Sequence, residues 1–266
     1  MKKTGILTKI YIAAIMVFMY APIAVLIFYS FNKSRSAAWG GFTFKWYFEL
    51  FESKNLMDAL INTLLIAVLA SVFATILGTA AAIGINNFRG KSRALIQNVS
   101  NIPIISPDIV MGVSLMLLFT FLGVMFHFEM GFGTVLLSHI CFCVPFVVLN
   151  VMPRIRRMDR SLYDAALDLG CNPFQAFFKV VIHELMPGII SGMLISFTYS
   201  IDDFVITHFT QGARFQNLST EIYSMLRRKF PPTINALSTL LFLVIIIIMV
   251  LINVHDRREE KRRAQK

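Results

Sequence analysis

Three carboxylates lie inside long apolar stretches of the chain: Asp108, Asp202 and Asp203. In hydrocarbon each such charge costs about 2.5–3.5 kcal/mol on insertion scales, so it is retained where it meets a cation, carries a proton or lines a pathway. No Lys or Arg occurs in the same stretches. The adjacent pair Asp202 and Asp203 therefore calls for a cationic passenger, for protonation, or for hydroxyl partners on neighbouring helices. Gly192, Ser196, Tyr199, Asp203 and Thr207 recur at steps of four, three, four and four, and Ser191, Thr198 and Asp202 run beside them. On a helix this spacing makes a broad polar stripe that lipid would not tolerate. Asp108 has two readings: Ser106-Pro107-Asp108 is a good helix start, with a cap, a proline at N1 and an acid at the positive end of the dipole, or it belongs to a pathway. Pro103 and Pro107 favour the second, since irregular backbone at membrane depth survives only beside protein or a water-filled cavity.

Two other patterns resemble sites and carry little. His139, Cys141 and Cys143 have i, i+2, i+4 spacing, which on a helix spreads them over more than one face, so they read as packing residues and no metal or cofactor is expected. The string GINNFRGKS from Gly84 to Ser92 has five residues between its glycines where a phosphate-binding loop has four. It leaves an apolar helix instead of joining a strand to a helix, and reads as a basic turn.

The elements that position the carboxylates follow from composition. Of 266 residues 56% are hydrophobic and only 15% charged, with 25 Phe. Soluble domains carry about 25% charged residues, so much of this surface needs a solvent other than water. The net charge of +10 could suggest nucleic acid, but Lys and Arg stand at the ends of apolar runs and not on one polar face. A membrane helix needs about 20 apolar residues. Six windows qualify: Ile10–Phe31, Ala59–Phe88, Ile104–Phe128, Gly133–Met152, Pro187–Thr210 and Ala236–Val254. The first is longer than a signal-peptide core and lacks a small-residue cleavage site behind it, so it is kept as a span. The expected fold is an all-α polytopic membrane protein. Seventeen Lys and Arg fall on the side that holds both termini and the 153–186 loop, against eight on the other. The positive-inside bias then puts residues 1–9, that loop and the basic tail 255–266 in the cytoplasm.

The loop from Pro153 to Met186 carries helix punctuation. Ser161 with Asp164 three residues on is a capping pattern, Gly170 suits a left-handed C-terminus, and Asn172-Pro173 starts a second helix. Leu162, Ala165, Ala166 and Leu169 share a face of the first helix; Phe174, Phe177, Phe178, Val181 and Leu185 share one of the second. Periodicity leaves open whether these faces meet the membrane interface, the protein's own helix ends or a groove in a partner. The run Asp164-Ala165-Ala166-Leu167-Asp168-Leu169-Gly170, followed by Asn172-Pro173-Phe174-Gln175-Ala176-Phe177, resembles the "EAA" loop of ABC importer permeases. Asp164 stands for the usual Glu, and His183 stands where the family usually has a proline, leaving the end of the loop helix anywhere from His183 to Pro187.

The resemblance implies a type I importer permease with no catalytic residues of its own. Asp164, Ala165, Ala166 and Gly170 would form the core of a coupling helix docked on an ATPase, with Phe174 and Phe177 on the docking face. The implied partners are a second permease, two cytoplasmic ATPase subunits and a periplasmic binding protein, all at the bacterial inner membrane. Ser200 to Thr207 (SIDDFVIT) and Pro107-Asp108-Ile109-Val110 with Gly112 are similar to C-type permeases of bacterial spermidine/putrescine importers. That similarity implies a polyamine pathway lined by Asp108, Tyr199, Asp202 and Asp203, where carboxylates pair with ammonium groups and aromatic faces add cation–π attraction. Relatives that carry ferric iron share parts of these strings. A proton-driven secondary transporter and a membrane anchoring subunit are the rivals from other classes; the first would have no use for the capped loop, and no inverted repeat is visible.

Overall fold

The computed structural model describes residues 6–35, 38–88, 90–159, 161–213, 215–228, 231–243 and 246. Among these the chain is helical, and the one β pairing is an isolated bridge between Asn32 and Phe42. The helices are α1 (Ile6–Ser30), α2 (Lys45–Glu52), α3 (Lys54–Asn87), α4 (Gly90–Ile105), α5 (Asp108–Phe126), α6 (Phe132–Arg157), α7 (Ser161–Asp168), α8 (Pro173–Ala176), α9 (Ile182–Asp202), α10 (Val205–Thr210) and α11 (Leu218–Arg228), with α12 (Thr233–Leu243) after them. A π-helical turn, Phe177–Val181, joins α8 to α9, so the helix is continuous from Pro173 to Asp202.

Five of these helices are long and apolar enough to cross a membrane. They overlap the first five predicted windows, with different bounds at the third and fifth. The sixth begins as α12; of its remainder only Ile246 is among the described residues, and the N-terminus before Ile6 and the basic tail lie outside them.

Three sequence expectations are corrected. The stretch after Arg89, read as a short basic turn leading into a span at Ile104, is the 16-residue helix α4; the third span starts only at Asp108. Polar residues such as Gln97, Asn98 and Asn101 interrupt its apolar pattern, and none of its residues is buried. The loop helix does not end between His183 and Pro187, because the π turn carries it into α9. The fifth span is not one helix: α9 stops at Asp202, Asp203 is extended (φ −64°, ψ 127°), and α10 begins at Val205.

The chain divides into two compact units. In the unit of residues 58–221, α6 is the central element. Phe142, Val147, Val148, Val151, Met152 and Ile155 from α6 pack with Ala74, Ala82 and Ile85 of α3, Leu185 of α9 and Ile206 of α10. Small residues let the backbones approach, as membrane helices require in the absence of a strong hydrophobic drive. A Cβ at Gly192 would stand 3.0 Å from Val147 Cα, and one at Gly188 2.8 Å from the Asn150 carbonyl oxygen. In the other unit, residues 1–57 and 222–266, Asn32 organises the turn after α1. Its side chain accepts from Gly40 N–H (2.8 Å) and donates to Ala38 O (2.9 Å), while its carbonyl accepts from Trp46 Nε1 (2.7 Å).

Candidate functional site

The break in the fifth span is built by Asp203. Its Oδ1 accepts from the Ile206 N–H (3.2 Å), and Oδ2 accepts from the Thr207 N–H (2.8 Å) and the Thr207 hydroxyl (2.8 Å). A carboxylate that takes the first free amides of a helix is a cap, and a cap has non-helical backbone. The side chain that starts α10 is thus the reason α9 ends.

From α6, His139 closes the arrangement. Its Nε2 is 2.9 Å from Thr207 Oγ1 and 3.4 Å from Asp203 Oδ2, and Nδ1 is 2.7 Å from Ser200 Oγ. Because Thr207 gives its hydroxyl proton to Asp203, Nε2 must be the donor; in a neutral ring Nδ1 then accepts from Ser200. Asn217 Nδ2 donates to Thr207 Oγ1 and to the Asp203 carbonyl, both at 3.2 Å. His139, Thr207, Ser200 and Asn217 are all buried. A buried polar network is stable when every member is paired, and these are.

Asp202 and Asp203 therefore part ways. The Asp203 side chain is only 9% exposed and fully engaged, whereas Asp202 is exposed, as is Asp108 at the first turn of α5. Pro107, not Ser106, holds the cap position of α5, with no side-chain bond to the helix. Asp108, Tyr199, Asp202 and Asp203 all line one cavity of about 440 Å³, together with Phe142, Phe146 and Phe204. The Phe146 and Tyr199 rings stack at 4.5 Å and 17°. The four residues singled out in the sequence are thus brought together, and the cavity can offer carboxylates and aromatic faces to a cation. His139 is the member that sequence reasoning missed. An ionisable side chain within an apolar window was the available signal, applied to the aspartates and not to the histidine. Cys143, on the same helix, is buried and bonded to the Ser196 carbonyl (3.5 Å), while Cys141 is exposed.

At the other end of the 173–202 helix, the loop follows its punctuation. The Ser161 N–H donates to Asp159 Oδ1 (2.9 Å), and this bond with the Ser161 hydroxyl holds the Asp159 carboxyl below the usual carboxylate range. The acid that receives an amide at the start of α7 is thus Asp159; Ser161 is already helical. Gly170 has φ +87°, and the bonds Gly170 N–H to Leu167 O (2.9 Å) and Cys171 N–H to Ala166 O (3.0 Å) form a Schellman ending. Asn172 and Gln175 make a reciprocal capping box (2.8 and 3.2 Å). Ala166 and Ala176 are buried, Asp164 and Ala165 are exposed, and Phe177 is half-buried. Leu169 at 87%, Phe174 at 72% and Phe178 at 52% remain open to solvent. The apolar faces predicted for this loop are only partly covered by the chain itself.

Residues 74–261 match the family model described as "Binding-protein-dependent transport system inner membrane component". The chain belongs to this family. The permease is 38% identical over 242 residues to the spermidine/putrescine transport system permease protein PotC of Escherichia coli (strain K12), covering 91% of this chain and 90% of that one. It is also 38% identical to the putrescine transport system permease protein PotI of the same organism, over 84% of this chain and 81% of the relative. Among solved structures, the permease fold matches a chain of a bacterial ABC transporter involved in the import of the acidic polysaccharide alginate, with a TM-score of 0.72 at 14% identity and 95% coverage of both chains. The MetNI methionine ABC transporter gives 0.59 at 18% identity, covering 77% of this chain and 96% of that one. The permease is thus an inner-membrane transport component with the fold of ABC importer permeases.

Proposed function

We propose that the permease forms half of the pathway of an ATP-driven polyamine importer. The observation that carries the reading is the one cavity lined both by the exposed residues Asp108 and Asp202 and by the stacked Phe146 and Tyr199. An extended organic cation with several ammonium groups suits such a wall: the carboxylates pair with the charges and the rings add cation–π attraction. The names of the relatives, spermidine/putrescine and putrescine permeases, point to the same class of passenger.

The coupling role falls to α7 and α8. Exposed Leu169, Phe174 and Phe178, joined by half-buried Phe177, give the loop an apolar face suited to a groove in a cytoplasmic ATPase, with Asp164, Ala165, Ala166 and Gly170 shaping the turn that presents it. Both termini and this loop are then cytoplasmic, a second permease completes the pathway, two ATPase subunits drive it, and a periplasmic protein delivers the polyamine. Residues 10–254 form the permease domain between the cytoplasmic segments 1–9 and 255–266.

The test is uptake of labelled spermidine and putrescine in cells whose own polyamine importers are deleted and which carry this permease with the transport genes beside it. The reading predicts ATP-dependent uptake that ferric iron does not compete, and co-purification of an ATPase lost on Gly170→Val. Uptake of neither polyamine, with the complex assembled, would overturn it.

A further inference from the structure

The cavity wall is made from both sides of the break, Tyr199 and Asp202 before it and Phe204, Val205 and Ile206 after it. What holds the wall is therefore whatever holds the break. Local propensity does not: Ile201 to Ile206 contains neither Gly nor Pro, and nothing in those residue types prevents the helix from running on. The break rests on Asp203 keeping its carboxylate on the amides of Ile206 and Thr207; from outside that segment His139 of α6 stands 3.4 Å from Oδ2 and bonds the Thr207 hydroxyl that donates to it. The imidazole also joins the two halves directly, with Ser200 of α9 on one nitrogen and Thr207 of α10 on the other.

In an unbroken helix, residue 204 would follow Ser196 and Ser200 at steps of four. Both serines are buried against α6, at 0% and 1% exposure. Position 204 would then turn toward α6 and out of the cavity it now lines. We propose that His139 is the positioning residue of the translocation cavity: by bridging Ser200 and Thr207 and holding Asp203 as a cap, it keeps the fifth span broken and Phe204 in the cavity wall beside Asp202. Its importance for transport rests on the pathway reading above, but its effect on the break does not.

The experiment uses the complete transporter in membrane vesicles, with Cys141, Cys143 and Cys171 replaced by serine and Phe204→Cys as a probe for a charged, membrane-impermeant thiol reagent admitted to both faces. With His139 in place the introduced thiol is labelled readily. Losing the imidazole's hydrogen bonds to both halves of the span is expected to slow labelling about tenfold in His139→Ala. His139→Gln, which restores an N–H near the position of Nε2, should recover the rate to within about threefold. Equal labelling in the natural and His139→Ala backgrounds would overturn the proposal, and so would failure of His139→Gln to recover the rate. If His139→Ala does not assemble, Ser200→Ala removes the imidazole's bond to α9 alone and is expected to slow labelling about threefold; no change would again contradict the proposal. Uptake by Asp202→Asn is measured in parallel with Phe204 intact. Undiminished uptake in that variant defeats the pathway reading and leaves the labelling result to decide the role of His139.

Discussion

The continuous helix from Pro173 to Asp202 has two unlike ends, about 45 Å apart at 1.5 Å per residue. At the Pro173 end, large apolar side chains stand in the open: Phe174 and Phe178 pack on each other at 4.6 Å and stay 72% and 52% exposed. At the membrane end, polar groups are closed in, and Asp203 has its partners supplied from α6, α10 and the segment after it. Each end inverts the usual placement of polar and apolar groups, and each is explained by what it is to meet. The first end leaves Leu169, Phe174 and Phe178 exposed, the face proposed above for the ATPase. The second is closed except at Asp202, which is exposed and lines the cavity. If the proposed coupling role holds, one continuous helix joins the ATPase face to the cavity.

The comparison can be broken most forcefully at Gly192, where α9 touches α6. Leucine there would meet the Val147 backbone at 3.0 Å and separate the two helices, at a cost of about 1–3 kcal/mol or more. Expected outcomes are loss of uptake together with a lowered thermal midpoint of the purified complex, because both ends depend on this contact. At the loop end alone, Gly170→Val forces a β-branched residue into φ +87°, costing about 1–2 kcal/mol. ATPase co-purification should fall while labelling of the thiol introduced by Phe204→Cys is unchanged. Phe174→Ala, at a side chain 72% exposed, should leave the thermal midpoint within about 1 °C, since surface changes away from packed contacts stay within about 0.5 kcal/mol. It should nevertheless weaken ATPase binding in a pull-down. A drop in the midpoint as large as that of Gly192→Leu would show that this ring is core and not interface.

Much of this was legible in advance where chemistry is local. Asn172-Pro173 and Gly170 announce their caps because a side chain or a missing Cβ decides the backbone within two or three residues, and the five long apolar windows follow from the bilayer's thickness. The break at Asp203 was not legible, because the carboxylate that caps α10 is secured by His139, far away in the sequence, and periodicity alone makes the same residues one polar stripe. Helix α4 was hidden for a different reason: Gln97, Asn98 and Asn101 interrupt its apolar pattern, and none of its residues is fully buried. The four candidate pathway residues were found individually, but the division of labour between adjacent aspartates depends on which of them the fold encloses.

We assign Asp202 to the passenger and Asp203 to the fold. Uptake of labelled spermidine by the assembled transporter carrying Asp202→Asn tests this assignment most directly. Losing a charge-assisted contact worth about 1.5–3 kcal/mol should lower uptake about ten- to a hundredfold, with the complex still purifying intact and its thermal midpoint unchanged. Uptake equal to that of the natural chain would contradict the account.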